Sequence, residues 1–273
     1  MEYKVLFLDC DGTLLSDDKT ISQENKKAIR YAMDKDVKVV LCSGRSYVTL
    51  RQLAEEVGTN KKGNIVVAFN GMEIFDAENG NVLFQERLDG ELAAYILSQL
   101  KKVASPDIEI VVYEDMTTIV SEYDNKYFNK YKEVSQTIKK VVPDLIKHVS
   151  DLGKVVKIII IGDNEKLVHV IKHIEDLKDN RISCFFSAQI LAEILNSSCS
   201  KATGVEFASK YFNISKEHII AVGDHGNDVS MIKTAGLGIA TANAVESAKN
   251  AADFVTRRDN NNSAIAEVIY EFI

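Results

Sequence analysis

At 273 residues, with 46% hydrophobic and 27% charged residues, the chain has the make-up of an ordinary globular protein of one large or two smaller domains. Its 33 basic and 40 acidic residues give a net charge of −7, which argues against a broad face for the phosphate backbone of nucleic acids. No stretch has the character of a signal peptide or a membrane span, and the scattered Cys10, Cys42, Cys184 and Cys199 lack a metal-finger spacing and read as reduced thiols of a cytoplasmic protein.

In chain order, KVLFLD is an apolar run of strand length. SQENKKAIRYAMDK carries Ala28, Ile29, Ala32 and Met33 at helical spacing, with Ser22 as N-cap. VKVVLCS reads as a strand, SYVTLRQLAEEV as a helix stopped by Gly58, and NIVVAFN as a third strand. Apolar strands alternating with amphipathic helices predict a parallel sheet covered on both faces. The middle changes character: a helix (ELAAYILSQLKKV), paired strands (IEIVVY, TTIV), a polar stretch from Tyr123 to Lys140, then KVVKIIII, a helix from Glu165 to Leu177, and ISCFF. That mixture suggests a separate α+β unit. From about Ser187 the first style resumes with LAEIL, the helix TGVEFASKYF, the strand HIIAVGD, a helix over Val229–Ala235 and the short strands GIAT and DFVT. The expectation is a discontinuous α/β core, residues 1–84 and 188–273, with an α+β domain inserted at 85–187.

The first strand ends in DCDGT, the second in SGR and the one before the last helices in GDHGND. In an open parallel sheet ligands bind beyond the carboxyl ends of the strands, so these tips are expected to converge. Asp9, Asp11, Asp224 and Asp228 would then share a small volume. At an effective dielectric near 20 each close carboxylate pair costs about 4 kcal/mol, so such a cluster calls for a cation. Oxygen donors with no His or Cys companions suit Mg²⁺. His225 reads as a solvated loop histidine and Cys10 as core filling. Alternate strand residues share a face, so Asp9 and Asp11 are expected to look at the same substrate atom, one attacking phosphorus and the other protonating the leaving oxygen. Gly12 permits close backbone approach, and the turn N–H groups can hold phosphoryl oxygens. Ser43, Gly44 and Arg45 open a helix and form a phosphate seat. Asn70–Gly71 reads as a turn, and Lys201 supplies the point cation that an anionic site needs.

DCDGTLL, SGR, Ser200-Lys201 and GDHGND, in that order, resemble the four motifs of the haloacid dehalogenase-like phosphatases, and the large insertion after Asn70–Gly71 resembles the Cof-type (class IIB) members. The resemblance implies a Rossmann-like doubly wound parallel sheet with an α+β cap. It makes Asp9 the nucleophile that forms an aspartyl-phosphate, Asp11 the acid and then the base, Ser43 a phosphoryl ligand, and Lys201 the neutralising cation. Mg²⁺ would be held by Asp9, the main-chain carbonyl of Asp11 and Asp224, supported by Asp228. Asn227 and Asn70 would contact phosphate or substrate, with Gly12, Gly44, Arg45 and Gly71 in the same phosphate-binding loops. Two positions depart from the family pattern: Lys201 is followed by Ala202, with Gly204 two residues on, and Ser263-Ala264 stands where Gly-Val is usual.

The implied function is a Mg²⁺-dependent phosphatase of small phosphorylated metabolites, such as sugar phosphates or cofactor-like phosphates. A phosphomutase and a non-enzymatic phospho-acceptor switch are the alternatives. The expected partner is a small phosphate ester, with no nucleic acid and no membrane; the oligomeric state is open and compatible with a monomer. The cap is expected to close on hinges at Gly71 and near Ser187, with Tyr113, Asp115 and Phe186 as candidates for substrate selection.

Overall fold

Val5–Leu8 (β1) is buried at every position, as a parallel strand covered on both faces requires. The computed structural model describes residues 2–115, 117–122 and 136–273. In it, β1 is followed by α1 (Gln23–Asp34), β2 (Lys38–Cys42), α2 (Tyr47–Val57), β3 (Ile65–Ala68), β4 (Glu73–Asp76) and β5 (Val82–Gln85). Ser22 caps α1 by accepting from the Asn25 N–H at 3.0 Å, and Gly58 ends α2 at φ +76°.

The next elements are β6 (Leu88–Asp89), α3 (Gly90–Val103), β7 (Glu109–Tyr113), β8 (Thr118–Ser121), β9 (Ile138–Val141) and α4 (Leu145–Leu152). They continue through β10 (Lys154–Val155), β11 (Lys157–Ile161), α5 (Asn164–Glu175), β12 (Ile182–Ala188) and β13 (Leu191–Asn196). The chain ends with α6 (Lys201–Tyr211), β14 (Ile219–Gly223), α7 (Val229–Thr234), β15 (Leu237–Ala240), α8 (Glu246–Lys249), β16 (Phe254–Val255) and α9 (Ala264–Phe272).

Two compact units result, Met1–Gln85 with Ser200–Ile273, and Glu86–Cys199. The first holds an eight-stranded sheet in the order β16-β15-β14-β1-β2-β3-β4-β5. Pairing is parallel from β16 to β3, and β4 and β5 add an antiparallel edge. The chain winds outward from β1 in one direction through β2 and β3, and from β14 in the other through β15 and β16. The β1/β14 junction is therefore the topological switch point, where open α/β sheets place their ligands. Phe7, Val40, Val67, Val205 and Ile219 pack in its core, each worth roughly 1.5–3 kcal/mol when fully buried.

The second unit has a six-stranded sheet, order β12-β13-β11-β7-β8-β9, antiparallel except for the β8–β9 pair. Ile158 and Ile160 of β11 pack with Ile96 of α3, Val149 of α4 and Ile171 of α5. Lys157, the first residue of β11, is buried too, with its ammonium 2.8 Å from Glu193.

Several expectations are corrected here. LAEIL does not return to the core sheet: β13 pairs with β12 and β11, so the second crossing falls after Cys199 rather than at 187/188. The reason is that an apolar strand of five or six residues reads alike in either sheet. The expected hinge positions do not coincide with the crossings. Ser187 lies inside β12 and Gly71 inside the first unit, while the chain passes between units at Gln85–Glu86 and Cys199–Ser200. Phe186 packs on the second unit's own core, and Asp115 accepts from the N–H groups of Thr117 and Thr118, a turn-forming role. Tyr113 is buried, its ring 5.3 Å from the Lys157 ammonium. The β4–β5 hairpin, α4 and α9 went unforeseen, although Asn79-Gly80 and the Asp144…Gly153 frame are turn and helix signals. Most of the polar Tyr123–Lys140 stretch lies outside the described residues. No helix among the described residues is long and apolar enough to cross a membrane.

Candidate active site

The register fixes where the motifs meet. Leu8 pairs with Val222 on one side and Leu41 on the other, so Asp9, Ser43 and Asp224 follow three adjacent strand ends. The Asp9 N–H donates to Val222 O at 3.0 Å and the Ser43 N–H to Val67 O at 3.0 Å, which carries the ladder up to the site itself.

Asp9, Asp224 and Asp228 each place a carboxylate oxygen within 4.8 Å of the others. Lys201 enters this cluster from the N-terminus of α6, which Ser200 caps, and its side chain is only 1% exposed. Its ammonium lies 2.5 Å from Asp9 Oδ1 and also contacts Asp228 Oδ1. Asp228 Oδ2 accepts from the N–H groups of Asp224 (3.0 Å) and His225 (2.9 Å). Asp224 Oδ1 accepts from the Thr13 hydroxyl at 2.8 Å. Both oxygens of Asp228 are thus engaged, whereas Asp9 and Asp224 each keep one that takes no hydrogen bond among the described residues.

Burial pushes the Asp9 carboxyl well above its ordinary range and Asp228 pushes it further, against the pull of Lys201. Burial and Asp228 raise Asp224 as well. Lys201 moves the other way in charge terms: burial lowers it, but Asp228 and Asp9 hold the ammonium well above the usual lysine range. Three carboxylates, two buried and one half-buried, against one ammonium leave an excess of negative charge. A divalent cation fits that excess, and the all-oxygen donor set suits a hard ion.

Asp11 does not join the cluster. Its carboxylate accepts from Arg45 Nε (2.7 Å) and Nη2 (2.8 Å) and from Lys19 Nζ (2.8 Å). The expected common face with Asp9 is therefore corrected. The strand ends at Leu8, Gly12 takes φ +78°, and Leu14 N–H donates to Asp9 O, so the strand's two-residue alternation no longer applies. Burial raises the Asp11 carboxyl, but the Arg45 and Lys19 contacts outweigh it and hold it well below the usual carboxylate range. Arg45, expected at a phosphate, is committed to Asp11 here.

Ser43 is buried and its hydroxyl accepts from the Arg45 N–H at 3.3 Å. Gly44 lies against Asn70: an added Cβ would be 3.0 Å from its amide nitrogen. Asn70 Oδ1 accepts from Asn227 Nδ2 at 3.0 Å, which ties the turn after β3 to the GDHGND turn. Phe69, Asn70 and Gly71 all have positive φ, and a Cβ on Gly71 would sit 2.0 Å from the Ser200 carbonyl oxygen. Gly71 thus lets the turn reach the start of the helix that carries Lys201. Gly71→Ala should cost about 2 kcal/mol or more of stability, read as a lower urea midpoint at unchanged slope.

Gly12 makes room for Asp224, whose Oδ2 would lie 2.4 Å from an added Cβ. Gly204, the displaced glycine of the Lys201 segment, packs against Val67 and Phe7. Ser263 adopts φ +62°, the left-handed conformation that glycine takes without strain, and shares a hydrogen bond with Ser22. His225 is half-buried rather than solvated, and its Nδ1 has no partner among the described residues. Cys10 is fully buried. Thr13, Lys19, Asn243 and Asn260 were missed as site residues; of these only Thr13, inside DCDGT, could be flagged by its neighbours.

The haloacid dehalogenase-like hydrolase family model matches residues 6–269. The chain is 31% identical to the YxeH protein of Bacillus subtilis (strain 168), over 99% of this chain and 98% of that one. It is 29% identical to the same organism's 5-amino-6-(5-phospho-D-ribitylamino)uracil phosphatase YcsE, over 94% and 90%. Among solved structures, a haloacid dehalogenase-like hydrolase from Bacteroides thetaiotaomicron has TM-score 0.85 and 29% identity with full coverage of both chains. The HAD subclass IIB sugar phosphatase BT4131, at TM-score 0.80 and 22% identity over 98% of each chain, shares the fold. The chain belongs to the haloacid dehalogenase-like hydrolase family.

Proposed function

We propose that the protein is a Mg²⁺-dependent phosphatase of small phosphorylated metabolites that works through an aspartyl-phosphate on Asp9. The observation that carries this reading is Asp9 itself: a buried carboxylate at a central strand tip, one oxygen held by Lys201 and the other uncommitted. That uncommitted oxygen attacks phosphorus, the bond to the leaving oxygen breaks, and a proton reaches that oxygen from Asp11, which must first take one up, since Arg45 and Lys19 hold it ionised in the arrangement described. Water then attacks the phosphoryl group, its proton passes to Asp11, and Asp9 departs as carboxylate. Lys201, the Ser43 hydroxyl, the Asn227 and Asn70 amides and the N–H groups beside Gly12 and Gly44 are read as phosphoryl ligands. Mg²⁺ would be held by Asp9, Asp224 and the main-chain carbonyl of Asp11, with Asp228 orienting the loop, and when bound it neutralises charge on the transferring phosphoryl oxygens.

The inserted unit is read as the cap that selects the leaving group, and the site as that of a cytoplasmic enzyme with no nucleic acid or membrane partner. Relatives named for a ribityl phosphate, YcsE and YwtE, point to sugar-like phosphates as the substrate class. Phosphate release across a panel of phosphorylated metabolites, with Mg²⁺ and with EDTA, tests the reading. Release from at least one sugar-like phosphate and its loss in EDTA are expected. Equal release with EDTA, or none from any ester, would refute it; stable label on Asp9 without release would favour a phospho-acceptor.

A further inference from the structure

Lys19 stands outside every motif, eight residues after the second aspartate, yet its ammonium lies 2.8 Å from Asp11 Oδ1. It adopts φ +65°, a conformation that is uncommon for a side chain of its size and that the surrounding contacts impose. Its N–H donates to Ser16 O at 2.9 Å, and Ser16 N–H to Thr20 O at 3.0 Å, closing a tight turn.

That turn is clamped from the far end of the chain. Asn260 Nδ2 and Asn261 Nδ2 each donate to the Asp17 carboxylate at 3.0 Å, and Asp17 N–H donates to Asn261 Oδ1 at 3.0 Å. Asn260, 4% exposed, also donates to Leu15 O at 3.1 Å, while its own N–H donates to Asn243 Oδ1 at 3.1 Å. Asn243 in turn donates to Gly12 O at 2.8 Å. Asn260 and Asn261, unremarkable as sequence, thus brace the loop from Gly12 to Lys19 at Leu15 and Asp17 and, through Asn243, at Gly12.

We propose that Lys19 is a positioning residue for Asp11, holding its carboxylate together with Arg45 as the acceptor for the water that attacks phosphorylated Asp9. This rests on the aspartyl-phosphate reading above. In that step the water oxygen bonds to phosphorus and the phosphorus–Asp9 oxygen bond breaks, its electron pair returning to Asp9. The water proton passes to Asp11. Lys19 and the two Arg45 nitrogens fix which carboxylate oxygens point where. Removing Lys19 leaves the carboxylate held from the Arg45 side alone, with Oδ1 losing one of its two donors.

The test uses Lys19→Met in the full chain with Mg²⁺ and p-nitrophenyl phosphate, whose leaving group departs without a proton, so that only the water step needs Asp11. The Lys19 side chain is 61% exposed, so the variant keeps its packing, which the thermal midpoint checks. The expected result is that kcat and KM fall together by about tenfold while kcat/KM stays within about twofold. Labelled phosphoenzyme accumulates after acid quench, and Lys19→Arg restores turnover. A raised KM at unchanged kcat, a parallel fall of kcat and kcat/KM, or no change would each overturn the assignment. If wild type forms no labelled Asp9 and Asp9→Asn still releases phosphate, the parent reading fails instead, and the two failures are told apart.

Discussion

Asp9→Asn should abolish phosphate release, by on the order of 10³-fold or more, while the chain keeps its fold. The amide cannot act as nucleophile, Asp11 is turned to Arg45, Asp228 has both oxygens engaged, and the open oxygen of Asp224 is the one the proposal gives to the metal. The effect on stability has the opposite sign to that on activity. Burial and Asp228 raise the Asp9 carboxyl above its ordinary value near 3.8. Between that value and the raised one the folded state holds more protons than the unfolded state, so its contribution to stability falls as pH rises through the window. The asparagine removes this slope. Metal-free Asp9→Asn should therefore melt at or above the wild type at neutral pH, and its melting point should gain less from added Mg²⁺. Thermal melts at several pH values with and without Mg²⁺ check both statements; full activity in the variant would reject the nucleophile.

Lys201→Met gives the second large effect. The ammonium is the one cation that contacts Asp9 and Asp228 among the described residues, and all three side chains are nearly fully buried. Breaking such an arrangement by removing one partner costs about 3–5 kcal/mol, because the carboxylates stay behind uncompensated. For a chain of this size that is a drop on the order of 10 °C in the melting point. Activity is lost with it, since the same cation is assigned to the phosphoryl group. Two results separate the electrostatic cause from lost packing. Added Mg²⁺ restores part of the stability, and the double variant Asp9→Asn with Lys201→Met melts above Lys201→Met alone. A double variant that is merely additive would place the effect in packing.

These expectations show which parts of the molecule the sequence discloses. The convergence of Asp9, Ser43 and Asp224 was legible because each follows an apolar run, and parallel register does the rest. The placement of Asp11 was not. The sequence shows a spacing of two, but the strand ends before it applies, and the Gly12 turn redirects the side chain to Arg45 and Lys19. Lys201 read as a surface lysine apart from its motif, since its burial depends on how α6 seats against β3, the Phe69–Gly71 turn and α7. The roles of Asn243 and Asn260 depend on contacts spanning more than two hundred residues, which no local pattern encodes, while Lys19 reaches Asp11 across only eight residues through a turn at positive φ. LAEIL failed for a different reason: its composition suits either sheet, and only pairing with β11 and β12 decides.

The central claim is that phosphorus is carried on Asp9. Wild-type enzyme mixed with a radiolabelled phosphate ester and Mg²⁺, quenched in acid during turnover and mapped by peptide, should carry label on the peptide containing Asp9. Asp9→Asn should carry none, and EDTA should prevent labelling. Phosphate release with no label at Asp9 at any quench time, or label on another residue, would contradict the account.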